Sequence, residues 1–316
     1  MKFTSGLVFS GLLASASAVP IASGPSGKWF DRFVVIVMEN TNKATALADP
    51  YYRQLADSGV LLNGYQGTTH PSQPNYITMV ASTTAAGVFD DGDHNTTQNS
   101  LVDIFEPAGI SWKAYQEGYY PLAGGACNPI HQNKTSGYVR KHNPFMSFDN
   151  IRESTARCQN IVNAEEHFAA DVAKGKYAPQ YMFYTPTLAN DAHDTNVTYT
   201  EKDLKYLMNT MMSNEQFMKN TLILVTFDEN DVYSPESYGT PNDVYSVLIG
   251  KDVLSCTSCV DQQFYNHFTM LTTLEQNWNL TAIPNPDGDG PMWDTWMLPF
   301  PKLKAKHNKS ASAEKM

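Results

Sequence analysis

The chain is short of positive charge. Lysine and arginine number 22 against 32 aspartates and glutamates, a formal balance of −10 at neutral pH. An acidic surface repels phosphodiester backbones and anionic bilayers, which argues against nucleic acid and stable membrane anchoring as modes of partnership. Long apolar runs are missing after the first 18 residues. No later stretch approaches the ~20 residues that a membrane span requires. Cysteine is scarce, four in 316 residues, and no histidine stands beside the Cys256-Thr257-Ser258-Cys259 pair to complete a zinc site. No Gly-x-Ser-x-Gly elbow follows a strand, which counts against a serine esterase. Asp90-Asp91-Gly92-Asp93-His94-Asn95 lacks the spacing of an EF-hand loop and reads as a turn-rich loop. Internal repeats and a domain-splitting linker are also missing.

What is present begins with an export leader. Lys2 supplies the positive start, Leu7 to Leu13 the apolar middle, and Ala16-Ser17-Ala18 the small-residue cleavage signature, so residues 1–18 are read as a signal peptide and the protein as secreted. The polar, basic tail 301–316 carries no lipid-anchor signal. Between them, 19–300 suffices for a single α/β domain. Asn-x-Ser/Thr sequons at Asn95, Asn133, Asn196, Asn279 and Asn308 anticipate N-glycans on surface loops. In an oxidising compartment the even cysteine set implies two disulfides. Three pairings are possible, and closeness in sequence favours Cys127–Cys158 with Cys256–Cys259.

Strand and helix patterns alternate. Phe33-Val34-Val35-Ile36-Val37-Met38 is an unbroken apolar run, as in a strand buried on both faces. Further strands are expected over 60–65, 110–115, 180–184, 221–227 and 244–249. Helices are expected over 50–58, from Ser100 to about 109, and over 164–174, 201–218 and 265–277. The methionines at 208, 211, 212 and 218 read as core filler. Residues 118–159, rich in Tyr, Asn, Pro and Gly, read as an insertion over the sheet edge, with His131 and His142 on its surface. This order implies an α/β fold with a mostly parallel central sheet flanked by helices.

Several strand ends carry polar groups. Glu39-Asn40 follows the first strand, Asn190-Asp191-Ala192-His193-Asp194 the fourth, and Asp228-Glu229-Asn230-Asp231 the fifth. The second leads to Thr69-His70-Pro71-Ser72-Gln73-Pro74-Asn75-Tyr76, where two prolines stiffen the backbone around one hydroxyl. Taken alone, Ser72 reads first as an N-cap in a Pro-rich turn. In a parallel sheet, however, these ends share the edge where ligands bind. Glu39, Asn40, Asp228 and Glu229 are hard oxygen donors of the kind a divalent cation collects, and calcium, magnesium, manganese and zinc all accept them. Such a cation ionises the Ser72 hydroxyl and neutralises a phosphate oxygen. On this pattern Asn75 donates amide hydrogens to a phosphate oxygen and His70 orients the phosphate. His193 protonates the leaving alcohol and later activates water. Asp191, Asp194 and His267 are further candidates.

Met38-Glu39-Asn40, His70-Pro71-Ser72-Gln73-Pro74-Asn75-Tyr76, Asn190-Asp191-Ala192-His193-Asp194 and Phe227-Asp228-Glu229-Asn230-Asp231, in this order, resemble the phosphoesterase family of secreted fungal acid phosphatases. That family also holds bacterial acid phosphatases and phospholipases C, within the alkaline-phosphatase-like superfamily. The resemblance spans about residues 30 to 280. It implies an alkaline-phosphatase-like fold, Ser72 as nucleophile, Glu39, Asn40, Asp228 and Glu229 around a metal, and His193 near the leaving group. Ser72-Gln73-Pro74-Asn75 is also similar to the Thr-x-Pro-Asn motif of nucleotide pyrophosphatases, whereas Tyr76 replaces the arginine that sulfatases of the superfamily use. The expected activity is hydrolysis of small phosphate monoesters, with an optimum below neutral pH. A phospholipase C-type phosphodiesterase and a non-catalytic secreted glycoprotein are the alternatives.

Overall fold

The computed structural model describes residues 24–81, 87–231, 241–283 and 290–298; the leader 1–18, the tail 301–316 and the sequon Asn308 lie outside them. Ten strands are formed among the described residues: β1 Arg32–Met38, β2 Val60–Tyr65, β3 Trp112–Gln116, β4 Gln132–Asn133, β5 Tyr138–Val139, β6 Ile161–Asn163, β7 Tyr181–Thr185, β8 Thr221–Phe227, β9 Ser246–Ile249 and β10 Cys259–Tyr265. Eight of them build one sheet in the order β10-β2-β9-β8-β1-β7-β3-β6. Every residue of β1 and β8 is buried, because helices cover both faces of the sheet. β1 runs parallel to β7 and β8, β3 to β6 and β7, and β10 to β2. β9 alone is reversed, antiparallel to both β2 and β8. Two reversals cancel, so β2 and β8 still point the same way. The ends of β1, β2, β7 and β8 therefore emerge on one edge.

Local chemistry explains the helix boundaries. Asp49 accepts from the amides of Tyr51 and Tyr52 while Pro50 fills the first helical position of Pro50–Ser58. Ser100 and Asp103 form a capping box at Leu101–Phe105, a shorter helix than the stretch to 109 that was expected. The helix expected over 201–218 is two pieces, Val197–Met212 and Glu215–Met218. Asn214 breaks it: its Oδ1 caps the Phe217 amide at 3.1 Å and its Nδ2 donates to the Val172 carbonyl at 2.8 Å. The last helix is His267–Trp278, closed by Asn279 in the left-handed conformation at φ 51°.

At the opposite edge of the sheet, Arg32 is buried at the start of β1. Its guanidinium donates to the carbonyls of Pro179, Phe217, Gly175 and Ala178. Burial lowers its pKa to about 10. Both expected disulfides, Cys127–Cys158 and Cys256–Cys259, are formed. The insertion 118–159 carries the β4–β5 hairpin and packs its buried Phe145 against Trp112 of β3 and Phe183 of β7. Among the described residues, no helix is long and apolar enough to cross a membrane.

Candidate functional site

The edge where β1, β2, β7 and β8 end gathers most of the residues singled out from sequence. Backbone bonds tie the loops together: the Glu39 amide donates to the Asp191 carbonyl at 2.8 Å and the Asp228 amide to the Met38 carbonyl at 3.0 Å. Ser72 begins the helix Ser72–Thr78, all of whose residues are buried, directly after a cis His70–Pro71 bond. Its Oγ lies 3.0 Å from Glu39 Oε2 and 3.1 Å from Glu229 Oε1. One hydroxyl hydrogen thus faces two carboxylates.

Acceptors outnumber donors throughout the site. Both oxygens of Asp228 are buried without a hydrogen-bond partner, and Glu39 Oε1 has only the His142 ring nitrogen near it, at 3.0 Å and outside hydrogen-bond geometry. Burial, with Glu229 adding repulsion and Lys141 opposing it, raises the Glu39 pKa to about 8. Burial, Glu39 and Glu229 together push Asp228 well above the ordinary carboxylate range. The Asn40 amide stands 2.8 Å from Glu39 Oε2 and 3.3 Å from Glu229 Oε1. With nitrogen toward them it donates to both; with oxygen toward them, only a cation reconciles the three. Among the described residues, no three His, Cys, Asp or Glu side chains stand at ready-made ligand spacing. The set that could hold a cation is mixed: carboxylates of Glu39, Asp228 and Glu229, the Asn40 amide and the Ser72 hydroxyl. Its surplus of unpaired buried oxygen fits a hard divalent ion.

The remaining candidates take different positions. His70 contacts Glu229 Oε2 through Nδ1, so it braces a carboxylate. Asn75 differs from expectation. Its Oδ1 accepts from the amides of Thr68 and Thr69, and its Nδ2 donates to the carbonyls of Thr69 and Pro71, which turns both amide hydrogens toward the backbone. It shapes the loop that presents Ser72. His193 stands at the mouth of a cleft also lined by Asn40, Thr41, Ala192, Asn196 and Asp231. Its amide donates to Asp191 Oδ1 and its Nδ1 meets Asp194 Oδ1, each at 2.8 Å. Ala192 between them holds φ 90°, a strained value for a residue with a Cβ. His267 lies beneath the site. Its Nε2 bonds the Asp228 carbonyl at 2.5 Å, Tyr65 is at Nδ1, and burial lowers its pKa to about 4. It is a neutral prop for the end of β8.

Two residues were misplaced or missed. His142, expected on the surface, is fully buried, stacked on Tyr76 at 4.9 Å. Its Nε2 stands 3.0 Å from Glu39 Oε1 and its Nδ1 3.4 Å from Asp191 Oδ2. Burial first, then Lys141 and His193, lower its pKa well below the usual value. Lys141 donates to Asp91 Oδ2 at 2.9 Å and its charge reaches Glu39 and Asp228. The available signal was Arg140-Lys141-His142, three basic residues in a row in an acidic chain. His131 is a surface residue as expected, paired with Asp93 at 2.9 Å.

This arrangement has the fold of alkaline-phosphatase-like proteins. A protein of the alkaline phosphatase superfamily from Vibrio parahaemolyticus superposes with a TM-score of 0.51 at 12% identity, over 80% of this chain and 66% of that one. Residues 26–281 match the model of the Phosphoesterase family, and the chain belongs to it. It is similar to the probable acid phosphatase of Kluyveromyces lactis, 39% identical over 286 residues, which is 87% of this chain and 65% of the relative. It also resembles the phosphate-repressible acid phosphatase of Penicillium chrysogenum, 36% identical over 275 residues, 85% of this chain and 65% of the relative. The chain spans 60–65% of the length of the fungal relatives it matches.

Proposed function

We propose that the protein is a secreted, N-glycosylated acid phosphatase that hydrolyses small phosphate monoesters through a phosphoseryl intermediate on Ser72. One observation carries this reading: a buried hydroxyl set between Glu39 and Glu229, at the sheet edge, beside the unpaired carboxylate of Asp228. The family membership and the acid phosphatase relatives support it.

Glu39, Asn40, Ser72, Asp228 and Glu229 would hold a divalent cation. Such an ion makes ionising the serine less costly and offsets charge on a phosphate oxygen. In the first step the Ser72 Oγ–P bond forms while the ester P–O bond breaks. The hydroxyl proton passes to the Glu39–Glu229 carboxylate pair, and protonated His193 gives a proton to the departing alkoxide. In the second step water attacks phosphorus and leaves its proton on His193. The Oγ–P bond then breaks as Ser72 regains its proton from the carboxylate pair. His193 suits both duties, because Asp194 engages Nδ1 and leaves Nε2 as the nitrogen for substrate. His70 steadies Glu229, and Asn75 holds the nucleophile loop.

Replacing the nucleophile tests this. Ser72→Ala is expected to lower kcat/KM for p-nitrophenyl phosphate by at least ~10³-fold with the thermal midpoint retained. A non-catalytic glycoprotein predicts indifference, so activity within tenfold of the parent overturns the proposal. N-terminal sequencing of the exported protein is expected to begin at Val19.

A further inference from the structure

The metal and serine set does not distinguish a phosphate monoester from a diester, since both present a phosphorus and two non-bridging oxygens. They differ in the third oxygen. In a monoester it is ionisable, with a pKa near ~6, so the group carries about 1.5 to 2 charges near neutral pH; in a diester it is capped by carbon and the charge stops at one. A site that prefers the monoester needs one more fixed positive charge beside the nucleophile.

Lys141 meets that need. Its side chain is 21% exposed and its Nζ donates to Asp91 Oδ2 at 2.9 Å. Asp91 in turn uses Oδ1 to accept from the amide of Gln73, the residue after Ser72, at 3.0 Å. Gln73 Oε1 closes the loop by accepting from the Gly92 amide at 2.7 Å. Asp91 thereby ties the ammonium to the backbone that begins the nucleophile helix. The next residue, His142, lies 3.0 Å from Glu39 Oε1, which fixes this segment against the oxygen set. Lys141 is also the cation that counters the charge on Glu39 and Asp228. Of the neighbouring basic groups, Arg140 donates to His94 O, Asn95 Oδ1 and Met146 O, and Lys43 donates to Asn63 O and pairs with Asp243 at 3.5 Å. An ammonium has three hydrogens and Asp91 takes one of them.

We propose that Lys141, tethered by Asp91, is the specificity-determining residue that binds the third, charged oxygen of a phosphomonoester and so sets the preference for monoesters over diesters. This rests on the reading of Ser72 as nucleophile.

The test compares p-nitrophenyl phosphate with bis(p-nitrophenyl) phosphate on the whole protein, with inorganic phosphate as inhibitor. Lys141→Met is expected to lower kcat/KM for the monoester roughly 10- to 100-fold, the effect of one charge-assisted hydrogen bond, and to weaken phosphate inhibition by a similar factor. Diester turnover is expected to change less than about threefold, and Lys141→Arg to restore most of the monoester rate. Equal losses on both esters, or unchanged monoester turnover and phosphate inhibition, overturn the proposal. If Lys141→Met does not fold, Asp91→Asn carries the test: it keeps the ammonium and loosens its tether, and an unchanged monoester-to-diester ratio overturns the assignment. Ser72→Ala separates the two ideas. Should it leave monoester turnover intact, the nucleophile reading fails, whereas its inactivity alongside a Lys141→Met variant of unaltered selectivity defeats only the lysine.

Discussion

Asn75 has no hydrogen to spare for a substrate. All four of its amide bonds go to backbone between Thr68 and Pro71. Asn75→Ala leaves the half-buried amides of Thr68 and Thr69 and the Pro71 carbonyl without this partner, while the Thr69 carbonyl keeps Asn242; an unsatisfied buried group is worth about 1–3 kcal/mol. Urea denaturation is therefore expected to show a destabilisation of about 2 kcal/mol or more, with kcat reduced because Ser72 loses its fixed position. Normal stability with lost activity would instead mark Asn75 as a substrate ligand. At this scale the sequence was informative about residue type and weaker on partners. Glu39, Asn40, Ser72, Asp228 and Glu229 were legible as an oxygen set because their chemistry is shared and each sits at a strand end. Asn75 and His267 looked like reactive groups because composition does not say which neighbour a side chain meets. His142 was misread because short 3-10 turns bury it, and such turns leave no periodic trace.

Among the elements, the strands that position the site were the most legible. β1 and β8 are unbroken apolar runs, and burial on both faces requires that pattern. β9 carries the same apolar signature, but its reversed direction depends on pairing between strands far apart in sequence. β10 was missed altogether, since an edge strand with few buried residues shows little alternation. Asp171 shows how a helix is fastened to this sheet. On the helix Ala164–Val172 it accepts from Lys113 Nζ and Tyr115 OH of β3, each at 2.7 Å. Burial raises its pKa, but the bonds from Lys113, Lys174 and Tyr115 outweigh it and hold the group below the ordinary value of 3.8. A depressed folded pKa adds stability above the unfolded value and loses it as pH falls. Asp171→Asn is thus expected to melt below the parent at pH 7, with the gap closing as both are titrated below pH 4. A gap that persists in acid contradicts the assignment.

Across the whole molecule, the site is a concentration of negative charge at the edge of an already acidic chain. Without a cation, Glu39 holds its proton to about pH 8 in the fold but releases it near 4.5 when unfolded. The folded state binds more protons across that window, so stability falls as pH rises through it. The thermal midpoint of EDTA-treated protein is expected to drop between pH 5 and pH 8. A saturating divalent cation is expected to raise it more at pH 8 than at pH 5. An equal rise at both values places the ion elsewhere. The activity profile is a separate check: kcat/KM is expected to peak below pH 7, where a general acid is available to the leaving group.

The most direct measurement is acid quenching of the enzyme during turnover of a phosphate monoester, followed by peptide mapping by mass spectrometry. The account predicts a phosphate adduct on the peptide containing Ser72, absent from Ser72→Ala. Steady turnover with no adduct on that peptide, or an adduct on a histidine, would contradict it.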